Sequence, residues 1–225
     1  MAQPLGLDFW IGLPEEHENR AAMVIPADPP SPQGPIPPMM IAIMTDPTSL
    51  PALVMFNSGG HMLPGADGVF GFNTRAAHAA EIGAAGGMTN ARGLAGLYAP
   101  LANGSNLVNR ESLARMAAVS SSVSIDQTAL APIRFSLGYV KSTDNRRVPD
   151  CTREDSVLLS EEAFGHPGFG GAIGFADPAA RMSFGYAMNR MGPGLGLNDR
   201  GQCLVDAAYL ALGYTTNAPG MWIKA

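Results

Sequence analysis

An α+β fold, an antiparallel sheet with packed helices, is what this sequence of 225 residues predicts. Three observations carry that expectation. Residues 164–190 read FGHPGFGGAIGFADPAARMSFGYAMNR, with two apolar runs, 172–175 and 182–188, on either side of Asp177-Pro178. Proline presets φ for a turn, so 171–176 and 182–189 read as an antiparallel hairpin. Next, Leu94, Leu97, Tyr98 and Leu101 recur at helical spacing behind the caps Thr89 or Asn90, and Gly104 stops the run. Finally, Asp199 is placed to cap a helix running to Leu212, with Cys203, Ala207, Leu210 and Ala211 on one face and Gly213 as its stop. A terminal helix laid on an antiparallel sheet is a two-layer α+β arrangement.

The remaining elements follow in chain order. Residues 4–13 form a short apolar entry with Phe9 and Trp10. Glu15, Glu16, His17 and Glu18 are adjacent rather than helically spaced, so they read as a solvated charge run and not as a metal cluster. Seven prolines in residues 25–38 exclude stable helix or strand there, and 26–38 reads as a Pro-rich surface loop. Residues 39–56 contain Pro47 and Pro51 and are expected to hold one short helix at most. Residues 57–71 carry five glycines and His61, a loop with a solvent-facing histidine. Residues 76–82 are alanine-rich and suit a turn or two of helix, ended by Gly83 and by Gly86-Gly87. Asn109 caps a second helix in which Glu111 meets the positive end and Leu113, Met116 and Ala117 face inward. Residues 133–140 alternate as a strand, and 143–154, with Arg146, Arg147, Asp150 and Arg153, read as an exposed loop.

Composition narrows the function classes. Hydrophobic residues at 46% and charged residues at 15% suit one globular domain over 1–225 with a sizeable core. A net charge of −5 argues against nucleic acid as a partner, because such proteins present a basic face. No 18-residue apolar run marks a membrane span. The start, MAQPLGLDFWIG, lacks a basic region followed by an apolar one, so a cytoplasmic location is expected. Cys151 and Cys203 form no metal motif and read as two separate thiols. Neither a metal nor a cofactor is expected.

The chemistry centres on His166-Pro167-Gly168. Five glycines in residues 165–174 leave the first hairpin strand bare, which often marks the close approach of a ligand or another backbone. This stretch resembles the serine β-lactamase-related hydrolases: class C β-lactamases, D,D-peptidases and their esterase relatives. Their third motif is Lys-Thr-Gly or, in many esterase-like members, His-x-Gly on the innermost strand. GFGGAIGFADP and FGYAMNRM resemble the esterase-like branch. Pro4-Leu5-Gly6-Leu7 is similar to the segment after the family's second motif, and AAGGMTNARGLAGLYAPLANG (84–104) to its helix near the site. The resemblance covers the family's C-terminal half and implies an incomplete β-lactamase/penicillin-binding-protein transpeptidase-like fold.

The resemblance also implies roles. His166 would face the cleft, the N–H of Phe169 would be one of two oxyanion donors, and Gly168 would leave room for an acyl group. Pro167, Gly170, Gly86 and Gly87 would line the substrate, although Pro167 offers neither the donor nor the hydroxyl common at that position. The family's nucleophile motif, Ser-x-x-Lys, is absent: Ser112-Leu113-Ala114-Arg115 comes nearest, and arginine stays protonated. Tyr-x-Asn is absent too, since Tyr186-Ala187-Met188-Asn189 has the wrong spacing, and no Gly-x-Ser-x-Gly elbow occurs. Three readings stand at this point. The chain is the C-terminal part of an esterase-like hydrolase taking a small ester or amide once completed by an N-terminal half, a binding module that kept the cleft wall, or a truncated product that folds poorly. An incomplete fold would also expose sheet edge and invite self-association.

Overall fold

In the computed structural model the described residues are 2–28, 36–57, 63–104 and 107–224. The chain opens with β1 (Phe9–Ile11) and a 3-10 helix (Glu15–Arg20), followed by α1 (Pro38–Thr45), α2 (Leu50–Phe56) and α3 (Arg75–Ala79). Next come β2 (Gly87–Thr89), α4 (Ala91–Asn103), α5 (Arg110–Ala117), β3 (Ser121–Val123) and β4 (Ile133–Phe135). The C-terminal part holds β5 (Phe164–Pro167), β6 (Ile173–Asp177), β7 (Met182–Tyr186), α6 (Asp199–Ala211), β8 (Tyr214–Thr216) and β9 (Ile223–Lys224). The class is the expected α+β.

The hairpin is the centre of the sheet. β6 pairs antiparallel with β5 on one side and β7 on the other, with Phe175 opposite both Gly165 and Phe184. Strand alternation then sorts β6 between two layers. Ile173 and Phe175 join the core formed with Val205 and Tyr209 of α6, while Ala176 joins the core formed with Tyr98 and Leu101 of α4. Helix thus lies on both faces. Glycine is what lets α4 come so close: a Cβ at Gly174 would meet Tyr98 Cε2 at 2.6 Å, and one at Gly185 would meet Ala95 N at 2.7 Å and Leu94 Cβ at 2.8 Å. Of the glycines that leave the expected strand bare, Gly174 is the one that seats the helix.

The helices start where side chains take their free N–H groups. Asn90 Oδ1 accepts from Gly93 N at 2.9 Å, and Asn109 Oδ1 from Ser112 N at 2.7 Å. Gly104 takes φ 71° at the end of α4.

Several expectations need correcting. Residues 39–56 form two helices, because Pro38 and Pro51 sit in first turns where no N–H donor is required. Of the proline-rich loop, 29–35 lie outside the described residues, as does His61. Residues 133–140 are not one strand. Gly138, at φ 83°, folds the chain back so that Lys141 N donates to Arg134 O, and Val140 then pairs with Gly165 to join β4 to β5. In 143–154 the four named charged residues are at the surface except that Thr143 and Asn145 beside them are buried. α6 is capped by Asn198, not Asp199, and buries Gly201, Gln202, Val205 and Tyr209. The face read from the sequence, Cys203, Ala207, Leu210 and Ala211, is exposed. Gln202, though polar, is held inside by bonds to Leu158 N and O at 3.0 and 3.1 Å. Both cysteines are free thiols. Among the described residues no single helix is long and apolar enough to cross a membrane.

Candidate active site

At the end of β5 the chain makes a tightly held turn. Gly168 N donates to Ala172 O at 2.7 Å and Gly171 N to Gly168 O at 2.9 Å. Gly170 is buried, and its carbonyl accepts from both Gly192 N and Asn198 Nδ2 at 2.8 Å. Gly170 and Gly171 adopt φ 93° and 102°, and side chains there would strike Met191 and Asn198. Phe169 is 47% exposed, and no acceptor among the described residues takes its N–H or that of Gly170.

His166 is exposed and lies opposite Gly174 in the register, on the α4 side of the sheet. Its Nδ1 lies 2.7 Å from Pro167 O. A carbonyl only accepts, so Nδ1 carries the proton and Nε2 is left for other partners. Gly168 differs from its neighbours, since a Cβ there would meet only Ala172, at an ordinary 3.4 Å. Packing within the described chain therefore does not require glycine at 168.

Two cavities flank this end of the sheet. A small one of about 110 Å³ is lined by His166 and Pro167 together with β4, Thr143, Asn145 and Asp155. A larger one of about 510 Å³ is lined by Asp8, Trp10, His17, His78, Gly87 and Asn189 among others. Register sets Pro167, Ile173 and Tyr186 side by side, so β5 ends where the chain leaves β7 toward the larger cavity. The structure thus gathers His166, Pro167, Gly168, Phe169 and Gly170 at one turn and puts Gly87 in a different cavity. Gly86 packs against the Ile82 carbonyl, 2.8 Å from where its Cβ would lie.

Behind the larger cavity, His78 of its lining belongs to an ionic cluster with Glu18 and Arg75. Glu18 Oε1 is 2.7 Å from His78 Nδ1, and Glu18 Oε2 is 2.6 Å from Arg75 Nη1. The hydrogen bond from His78, and after it the one from Arg75, hold the Glu18 carboxyl below its usual pKa. His17 packs on the Trp10 ring at a centroid distance of 4.9 Å. Groupings of His, Cys, Asp and Glu suited to a metal do not occur among the described residues.

Missed by sequence reasoning were Asn145, Asn198 and the Glu18–His78 pair. Asn198 had a signal, a capping residue directly before the helix. The other two act across 10 and 60 residues of chain, and no local pattern marks them.

The fold of antiparallel sheet and packed helices is that of β-lactamase and penicillin-binding-protein relatives, as comparison with known proteins shows. The family model described as Beta-lactamase matches residues 1–206, so the chain belongs to that family. Over 117 residues it is 32% identical to the esterase/beta-lactamase LipL of Mycobacterium tuberculosis, covering 50% of this chain and 24% of LipL. Among solved structures, EstA from Arthrobacter nitroguajacolicus Rue61a superposes with TM-score 0.68 at 27% identity, covering 94% of this chain and 51% of EstA. A family VIII carboxylesterase gives TM-score 0.66 at 30% identity, with 93% and 49% covered. A penicillin-binding protein homologue from Caulobacter crescentus gives 0.64 at 28%, with 94% and 50% covered. The chain spans about half the length of these structures and about a quarter of LipL.

Proposed function

We propose that this chain forms one wall of an esterase-type hydrolase site and does not turn over substrate alone. In this reading His166 faces the substrate, and the Phe169 N–H is one donor to the oxyanion that develops at an ester carbonyl. Gly168 keeps the acyl side of the strand open. Pro167 and Gly170 shape and hold the turn, while Gly87 borders the neighbouring cavity and Gly86 precedes it. The supporting observation is the turn itself: the Gly168 and Gly171 amides and the Gly170 carbonyl are tied down, and the Phe169 N–H, with no acceptor among the described residues, directly follows His166-Pro167-Gly168. Donors fixed before reaction cost no reorganisation when charge develops.

Esters are favoured over β-lactams by histidine at the motif's first position and by relatives named as esterases. Nucleophilic catalysis needs a hydroxyl beside an activating base. These 225 residues hold no Ser-x-x-Lys, so hydrolysis requires a serine and base supplied by other sequence. The test has two arms. The purified chain should leave p-nitrophenyl esters and nitrocefin intact and take no fluorophosphonate label. The chain co-expressed with the uncovered N-terminal portion of the family VIII carboxylesterase should hydrolyse p-nitrophenyl esters. Covalent labelling of a serine in the chain alone overturns the reading, as does an inactive but folded complex.

A further inference from the structure

Asn145, one of the residues lining the small cavity beside His166, carries an unspent acceptor. Asn145 is 1% exposed, and its Oδ1 meets no donor among the described residues. The orientation of the amide is fixed: Nδ2 donates to Pro132 O at 3.1 Å and Asp155 O at 3.0 Å, so a flipped amide would set oxygen against two carbonyls. Apart from the exposed His166, the other polar side chains in the lining are already used. Thr143 Oγ1 donates to Lys141 O and accepts from Arg134 N. Asp155 Oδ2 accepts from Thr152 N and Oγ1, and its Oδ1 accepts from Leu195 N. The rest of the wall is apolar, including Ala131, Ile133, Phe135, Val140 and Val157.

We propose that this cavity is a subsite for a short acyl substituent carrying a neutral hydrogen-bond donor, such as a 2-hydroxyacyl group, with Asn145 Oδ1 as its acceptor. Size fits a small group: 110 Å³ equals the liquid volume of about three to four waters. Polarity fits a donor, because a buried acceptor left unpaired bears its desolvation cost uncompensated. A neutral donor suits the wall better than a cation, since the one carboxylate there, Asp155, is fully bonded. Adjacency fits the reaction, because His166 and Pro167 lead directly into the turn that presents the Phe169 N–H. The subsite rests on the function proposed above for one point only, that its occupant is part of the substrate.

Lactamide and isobutyramide test it, as they differ by hydroxyl against methyl on the same short frame. Each is titrated into the ¹⁵N-labelled full chain, with the Asn145 side-chain amide as reporter. Lactamide should bind at least tenfold more tightly than isobutyramide and shift that resonance. Ala131→Leu, which fills the cavity while leaving the Asn145 bonds in place, should erase both effects. Equal affinities, or shifts that bypass Asn145, overturn the subsite, and so does binding by neither amide, which would assign the acceptor to water. None of these outcomes bears on the esterase reading, which stands or falls on turnover by the completed enzyme.

Discussion

Gly185→Ala tests how the two helical layers are set on the sheet. A Cβ at 185 would press on Ala91 O and come within 2.7 Å of Ala95 N and 2.8 Å of Leu94 Cβ. Two of these three atoms are backbone of α4, and backbone cannot swing aside as a side chain can. Overpacking a well-filled core costs about 1–3 kcal/mol, and rigid neighbours place this case near the upper end. Alanine recovers about 0.5–1 kcal/mol because glycine in a strand is entropically costly. The net expectation is a loss of about 2 kcal/mol, or roughly 4–8 °C in Tm for a domain of this size. Urea unfolding followed by circular dichroism measures it. Gly168→Ala is the control, since its Cβ meets only Ala172 at 3.4 Å and should leave stability within about 0.5 kcal/mol. An unchanged midpoint in Gly185→Ala would refute the close seating of α4 on β7.

Other outcomes can be stated more briefly. Asn198→Ala should cost about 1–2 kcal/mol by removing the α6 cap, and should loosen the turn whose Gly170 carbonyl it holds; proton exchange at the Gly171 amide reports the second effect. Glu18→Gln should flatten the acid side of the stability profile. The folded pKa of Glu18 is depressed, so its contribution is present above the usual 4.5 and is lost as pH falls through the folded value; urea midpoints between pH 3 and 7 for both proteins check this. Lys141, 2% exposed with Nζ donating to Glu161 O, has its pKa lowered by burial. Between that lowered value and 10.5 the unfolded state binds more protons, so wild-type stability rises with pH relative to Lys141→Met. A stability difference between these two that stays constant from neutral pH to 10.5 would show that the ammonium is not desolvated.

Local rules carried the sequence reading as far as local rules decide structure. Asp177-Pro178 between apolar runs located the hairpin, and Asn90 and Asn109 located two helix starts, because turns and caps are settled within four residues. The buried face of α6 was not legible, because Leu204, Ala207, Leu210 and Ala211 make a competing apolar stripe. Tyr209 wins the interior through bonds to Ser160 N and Asp177 Oδ2 that span 49 and 32 residues. Distance in sequence likewise hid Asn145 and the Glu18–His78 pair. Proline misled over 39–56, since it forbids helix interiors but suits first turns.

The glycines of the hairpin divide by what a side chain would strike, and that division bears on the site. At Gly165, Gly174 and Gly185 the obstacle is the neighbouring strand or α4. At Gly170 and Gly171 it is Met191 and Asn198, the latter bonded to the Gly170 carbonyl. Folding alone thus accounts for those five. Gly168 has neither a positive φ nor a close neighbour, so the fold does not demand it. What surrounds Gly168 is rigid on one side, where Ala172 and Gly171 bond to it, and leads on the other to the uncommitted Phe169 N–H. A glycine that the fold does not need, placed beside an amide that the fold does not use, is the combination a site requires if its occupant comes from outside the chain. The proposed catalytic wall rests on that combination more than on the identity of His166.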